Sequence, residues 1–350
     1  MKKSLLALAA LTAFAGAASA QSSVTLFGIV DLAATSTKNG SAGSLKTLSP
    51  DQLNSNRLGF RGTEDLGGGM RAGFWIEGGM DPSTGGSGQN WQRRSTVSLM
   101  GGFGEVRLGR DYTPTFFNKT AFDPFGTNGQ GSELNVESAL GSGATTLVRA
   151  NNTVSYFLPV LGGMYGQVQM AAGEATTGNK YVGARVGYAG GPVNVAVAYG
   201  KTYKTGTMID DFTDFNVGGS FNLGFMNLMA QYGKVEYSNR NQTKLLGGVT
   251  VPFGASTLKA SYIIAKGDQG SSSRDFDAKQ FTFGYQYDLS KRTAIFANYS
   301  SLNNGGTSQT GSQFTIGNGV PITATYAAGN VATFGGFTSS GYQVGVRHSF

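Results

Sequence analysis

The chain has 350 residues, no cysteine, a single histidine, 27 Lys and Arg against 20 Asp and Glu, and only 13% charged residues. Without cysteine there is no disulfide framework and no thiolate site, and a basic balance without a Lys/Arg cluster does not describe a nucleic-acid binder. The 55 Gly, 23 Phe and 15 Tyr, with 8 Pro, suit many strands and tight turns better than a helical core.

The chain opens on a secretory leader. Lys2 and Lys3 form a basic head, Ser4 to Phe14 is an apolar run, and Ala18-Ser19-Ala20 supplies a small-residue cleavage site before Gln21. The run falls well short of the roughly 20 residues that a membrane-spanning helix needs. The reading is therefore a signal peptide over residues 1–20 and one exported domain over 21–350. Loss of the two lysines takes the formal charge from +7 to about +5. No later apolar run would make a membrane helix.

The exported part is a repeated hairpin. Val24 to Leu32 alternates apolar and polar residues, and RLGFRGTEDLGGGMRAGFWIE then turns at Asp65 to Gly69. RRSTVSLMGGFGEVRLGRD turns at Gly101 to Gly104, and five further hairpins come before a lone strand, Gly341 to Phe350. One strand, seven hairpins and one strand make sixteen. Turns inside hairpins are short, whereas the segments between them are long and polar, as in Thr35 to Ser55 and Leu302 to Ser340. Short turns on one rim and long loops on the other is the pattern of outer-membrane barrels. A soluble sandwich would use shorter strands at closer spacing. The expected fold is all-β, a 16-stranded antiparallel transmembrane β-barrel.

Parity assigns the faces. Tyr342, Val344, Val346, His348 and Phe350 share one side of the last strand, against Gln343, Gly345, Arg347 and Ser349. Lipid cannot satisfy polar groups, so the apolar set faces outward and the polar set lines the lumen. The only histidine, His348, then lies on the outer face near the periplasmic end, an interfacial residue rather than a catalytic or metal-binding one. Extending the count places Arg57, Arg61, Arg71, Arg94, Arg107, Arg185, Lys244, Lys259 and Arg347 inward, with Asp31 and Glu77 as inward acids. Rings of Arg and Lys favour anions, and low-dielectric walls focus such a field.

The connection after the third hairpin, Tyr112 to Gly143, shows no sustained period and carries Phe116, Phe117, Phe122 and Phe125. A structureless stretch of about 30 residues is usually functional or disordered, and four phenylalanines argue against disorder. A sixteen-stranded barrel is wide enough to leave an aqueous channel, and a loop folded inside would narrow it. The aromatics would pack on the wall, and Asp123, Glu133 and Glu137 would partly oppose the basic strands. Arg149 has the parity of the lumen positions Asn151, Thr153 and Ser155.

Several segments together carry a family resemblance. They are SSVTLFGIVD, RLGFRGTEDLGGG, RRSTVSLMGGFGEVRLGRD, the loop with DPFG, YDLSKRT and the terminal GYQVGVRHSF. The mature chain resembles the general porins of Gram-negative outer membranes, and within them the trimeric, anion-selective porins of beta-proteobacteria. The resemblance implies three barrels per assembly, an outer-membrane location and a third extracellular loop folded into the lumen. It also implies a terminal phenylalanine read by the outer-membrane assembly machinery, which Phe350 matches. A small arginine cluster would contact permeating anions at the constriction, and the matching positions are Arg57, Arg94 and Arg149, with Asp123 beside them. The stretch Phe122-Asp123-Pro124-Phe125-Gly126 departs from the family's Pro-acid-Phe order.

The leading reading is a diffusion porin preferring small inorganic and organic anions, with outer-membrane lipids, the assembly machinery and copies of itself as partners. No cofactor is implied. A weakly selective or cation-passing porin and a surface receptor or adhesin barrel are the alternatives, and conductance separates the last from a porin. An enzyme would need a nucleophile–base pair or converging carboxylates, and no such motif is present.

Overall fold

The computed structural model describes residues 23–40, 44–86, 90–268, 277–305, 314–316 and 338–350. The expected leader, residues 1–20, and most of the loop expected at 302–340 lie outside the described residues. Among the described residues seventeen strands, β1 to β17, join in one sheet. Sixteen of them form the wall: β1 (Ser23–Asn39) and β3 (Arg57–Gly67) onward to β17 (Thr338–Ser349), every neighbour antiparallel. β1 closes the barrel by pairing with β17 from Ile29 opposite Ser349 to Asn39 opposite Ser339. No edge is left unpaired in the wall, which is how a barrel avoids templating other chains.

The seventeenth strand departs from the hairpin count. β2 (Ser44–Pro50) lies within the segment expected to be a polar loop and pairs with the upper half of β1, Leu32 opposite Pro50 to Lys38 opposite Ser44. β1 therefore serves two neighbours on one edge, β3 along its first half and β2 along its second. Thr35, Thr47 and Ser49 stitch this extension through their hydroxyls, Thr35 Oγ1 lying 2.8 Å from Ser49 Oγ.

The two faces follow the alternation. Val24, 64% exposed, and Leu26, Val97, Phe281, Phe283, Tyr342, Val344 and Val346 stand on the outside, whereas Gln280, Thr282, Ser300 and Gln343 are buried within. An apolar outer belt around a polar interior is the lipid-facing design. His348 is exposed and shares a hydrogen bond with Thr293 at 2.9 Å. The seven tight hairpin turns all lie on one rim, and both ends of the wall reach it. There the backbone of Phe350 exchanges two 3.0 Å hydrogen bonds with Gly28. The Phe350 ring covers Gly28 so closely that a Cβ there would collide with it. Gly28 is therefore a notch on the outer face for the terminal ring.

The long connection between β6 (Gly104–Tyr112) and β7 (Arg149–Phe157) runs inside the barrel. It opens with a two-turn helix, α1 (Pro114–Ala121), within the stretch that shows no sustained period. Pro114 sits in its first turn, where a missing N–H costs nothing. Phe116, Phe122 and Phe125 are buried, as the apolar loop surface requires, and Phe117 is half-buried. Glycines on the inner wall receive this segment: a Cβ on Gly218 would collide with Phe122, one on Gly248 with Pro124, and one on Gly284 would fall 2.9 Å from Phe125. Strand interiors bear the cost of glycine there because a second backbone segment approaches the wall.

Candidate functional site

The inner loop is fixed to the wall before it can shape a passage. Asn118 donates to Asn216 Oδ1 at 2.7 Å and to the Ala196 carbonyl at 3.2 Å, while Ser300 donates to the Gln130 carbonyl at 2.9 Å. Under α1 lies a buried charge network. Lys119 Nζ binds Asp214 at 2.8 Å and also Glu137, and Lys244 Nζ binds Glu137 at 2.6 Å and Glu133 at 3.3 Å. Burial pushes the Glu133 carboxyl up to about 7 despite Lys244. Glu137, subject to the same burial, is held down to about 2 by Lys119 and Lys244.

This network corrects two expectations. Glu133 and Glu137 do not face the basic strands across the lumen; they point to the opposite wall and are neutralised there. Lys244 is not a free lumen charge but the counter-ion behind the loop. Asp123 also turns back into its own loop, accepting from the backbone N–H groups of Phe125 at 2.9 Å, Thr127 at 3.0 Å and Glu133 at 3.2 Å. Burial raises its pKa against those three donors.

On the other side of the loop a cavity of about 650 Å³ remains. Its cations are Arg57, Arg93, Arg149, Lys259 and Arg347. Arg57 opens β3, and its Nε is steered by the Ser55 carbonyl at 2.9 Å. Its Nη1 lies 3.4 Å from Glu77 Oε1, which also binds Arg93 Nε at 2.7 Å. Trp75 Nε1 donates to the other oxygen of Glu77 at 3.0 Å. Arg93 and Arg149 both donate to the Tyr112 hydroxyl, at 3.3 and 2.9 Å, and the Arg149 guanidinium lies 4.3 Å from the Tyr112 ring centroid. Arg57, Arg93 and Arg149 thus converge through two shared side chains, Glu77 and Tyr112.

The sequence points to Arg94 rather than Arg93 in that trio. The strand pairing explains the difference: from Glu77 to Gly79 β4 (Met70–Gly79) advances two residues, while β5 (Asn90–Gly101) runs from Arg94 back to Asn90. The extra residues on β5 break the alternation, and both arginines reach the lumen. Arg94 instead looks toward the turn rim, its guanidinium 4.5 Å from the Trp75 ring and its Nε 3.7 Å from Asp111. The parity of Arg149 also crosses a break, at Asn152, whose φ of 53° marks one extra residue on β7. Arg149 reaches the cavity because it opens β7 beside Tyr112, not by alternation.

The remaining inward charges divide. Asp31 is no lumen charge: it is fully buried, and its carboxylate accepts from the backbone N–H groups of Gln52, Leu53 and Asn54, each at 2.9 Å, so it folds the turn before β3. Arg107 is consumed by Glu105, at 2.9 Å through two nitrogens, and by Asp111 at 2.5 Å. Arg185 is held by Asn118 Oδ1 at 3.0 Å and the Tyr165 hydroxyl at 3.2 Å, beneath α1. Arg347 lies 3.8 Å from Asp288, and Arg71 is exposed beside the turn at Gly67–Gly69. Among the described residues no group of three or more His, Cys, Asp or Glu could hold a metal ion.

Comparison with known proteins agrees with this architecture. The family model described as Gram-negative porin matches residues 7–307. The chain is 39% identical to outer membrane porin protein 32 of Delftia acidovorans, over all of both chains. It is 29% identical to an outer membrane porin of Bordetella pertussis, covering 85% of this chain and 93% of that one. Among solved structures it resembles an anion-selective porin from Comamonas acidovorans, with a TM-score of 0.82, 33% identity, and coverage of 94% of this chain and all of the other.

Proposed function

The chain belongs to the family of Gram-negative porins, and on that premise we propose that its outer-membrane channel prefers anions through Arg57, Arg93 and Arg149. One observation carries the reading: five cations line the passage beside the inner loop, while its one lining acid among the described residues, Asp123, is engaged by backbone N–H groups, and Glu77, behind the lining, is engaged by Arg57 and Arg93. A guanidinium exchanges water for carboxylate, phosphate or sulfate oxygens without trapping them, as conduction requires. Arginine keeps its charge at every working pH, so the preference persists from acid to alkaline solution.

The solutes of this reading are small inorganic anions and small organic acids. The name of the Comamonas acidovorans structure, an anion-selective porin, supports the same sign. Transport through the lumen calls for no chemical step, and no reaction is assigned to the chain. The assembly is a trimer in this reading. An outward, largely apolar dent lined by Val24, Gly62, Ala72, Phe74 and Val97 lets a neighbouring wall approach closely, and a closed rotation buries it in every copy. Phe350 is the assembly signal, seated in the Gly28 notch where the last strand meets the first.

The test is the zero-current potential of the purified protein in a planar bilayer under a tenfold KCl gradient. A potential of the sign set by chloride supports the reading, and a potential near zero or of the potassium sign contradicts it.

A further inference from the structure

Between the constriction and the periplasmic turns lies a second cavity, of about 450 Å³, to which chloride passage assigns no role. Arg61, Gly73, Trp75, Arg94 and Met100 line it. A water-filled lumen calls for small polar side chains here, yet Phe27 and Trp75 turn inward and stack with centroids 4.9 Å apart. The Arg61 guanidinium lies 5.4 Å from the Phe27 centroid and 5.1 Å from that of Trp75, and Arg94 lies 4.5 Å from Trp75.

The charges do not balance. Arg107 is saturated by Glu105 and Asp111, and among the described residues the one ion pair of Arg94 is with the same Asp111, at 3.7 Å, beside a 3.1 Å hydrogen bond from its Nε to Thr96 Oγ1. Arg61 is exposed and makes no ion pair among the described residues. Three guanidiniums thus meet two carboxylates, and the surplus sits on Arg61 beside aromatic surface. Gly73 keeps the wall low at this level: the flexible far end of Met100 lies over it, 2.9 Å from where a Cβ would stand, and its displacement opens a recess there.

We propose that this cavity is a second anion site, selective for carboxylates that carry an aromatic ring. The carboxylate binds Arg61 and Arg94, and the ring packs on Trp75 and into the recess at Gly73. Arg suits the carboxylate because its planar fork matches two oxygens. The ring adds what acetate or chloride lacks: apolar area removed from water against rings that the lumen otherwise leaves wet. The inference rests on the anion-preferring reading of the channel and specifies one class of its solutes.

The site lies in series with the constriction, so occupancy reads as block of the chloride current. Sodium benzoate and sodium acetate are titrated onto single channels of the intact protein in KCl. Benzoate should half-block at a concentration about five-fold or more below that of acetate. Arg61→Gln, which removes the surplus charge, and Gly73→Val, which fills the recess without touching any charge, should each raise the half-blocking concentration of benzoate by about five-fold. Acetate should respond to Gly73→Val far less than benzoate does. Equal block by the two anions in the unmodified channel overturns the proposal, as does benzoate block that survives both substitutions. A channel without chloride preference in the salt gradient refutes the underlying reading instead, so the two failures are told apart.

Discussion

Replacing Lys119 by Met should release the inner loop while leaving the barrel closed. Lys119 is 1% exposed on α1, and its ammonium serves both Asp214 on β11 (Phe212–Asn222) and Glu137 at the far end of the loop. Two lysines there face three carboxylates; the substitution leaves Lys244 alone with Glu133, Glu137 and Asp214. Removing one partner of a buried pair costs about 3–5 kcal/mol, because the orphaned charge stays desolvated. At about 1.4 kcal/mol per tenfold, the population of released loops rises by roughly a hundred- to a few thousand-fold. The remaining ties, through Asn118, Ser300 and the glycine-seated aromatics, join loop to wall rather than strand to strand, so β1 to β17 keep their pairing. The assay joins two readings: protease cleavage within residues 113–148 of detergent-solubilised protein, and open-channel current noise. Both should rise sharply in Lys119→Met, and adding Asp214→Asn and Glu137→Gln should recover part of the loss, since the orphaned charges are then neutral. Wild-type cleavage and wild-type noise in the single variant would refute the claim that this network holds the loop.

The same geometry leads to three more outcomes. Glu137 is held down to about 2, so its share of loop anchoring is present above the ordinary carboxylate range and disappears as pH falls toward 2; Glu133, pushed up to about 7, contributes in the opposite sense, losing stability as pH rises through 7. Current noise should therefore be lowest near about pH 5 and climb on both sides. Deleting Phe350, or replacing Gly28 by Val so that the terminal ring has no seat, should lower the yield of heat-modifiable folded barrel without changing single-channel conductance; normal yield with altered conductance would contradict this. Arg93→Ser should shift the zero-current potential further than Arg94→Ser, because only Arg93 shares Glu77 and Tyr112 with the other two arginines.

The wall is legible in the sequence because its signal is local. Alternation in Gly341 to Phe350 or Lys279 to Tyr287 is read one residue at a time, and lipid enforces it on every outward position. The inward fold of the loop is legible from its four phenylalanines, whose burial needs a surface that only the lumen can offer. Departures arise where the period slips. Two bulges, at Asn90–Arg94 and at Asn152, decide which arginines face the passage, and a parity count carries no trace of either. Charge partners are equally hidden: Glu137 and Lys244 are 107 positions apart, and only the closed barrel makes them neighbours. The helix over Pro114–Ala121 does leave a mark, proline in a first turn behind Thr113, but two turns are too short for a periodic pattern.

Whether Arg57, Arg93 and Arg149 act as one filter is decided by replacing all three with Ser and measuring the zero-current potential in a tenfold KCl gradient. The dilute side should be held near 0.01 M, where screening extends over about 30 Å and the cluster is felt across the passage. With Glu77 left without its two arginines, the potential should fall to zero or change to the potassium sign. A triple variant that keeps the potential of the unmodified channel would show that the preference for anions resides elsewhere in the barrel.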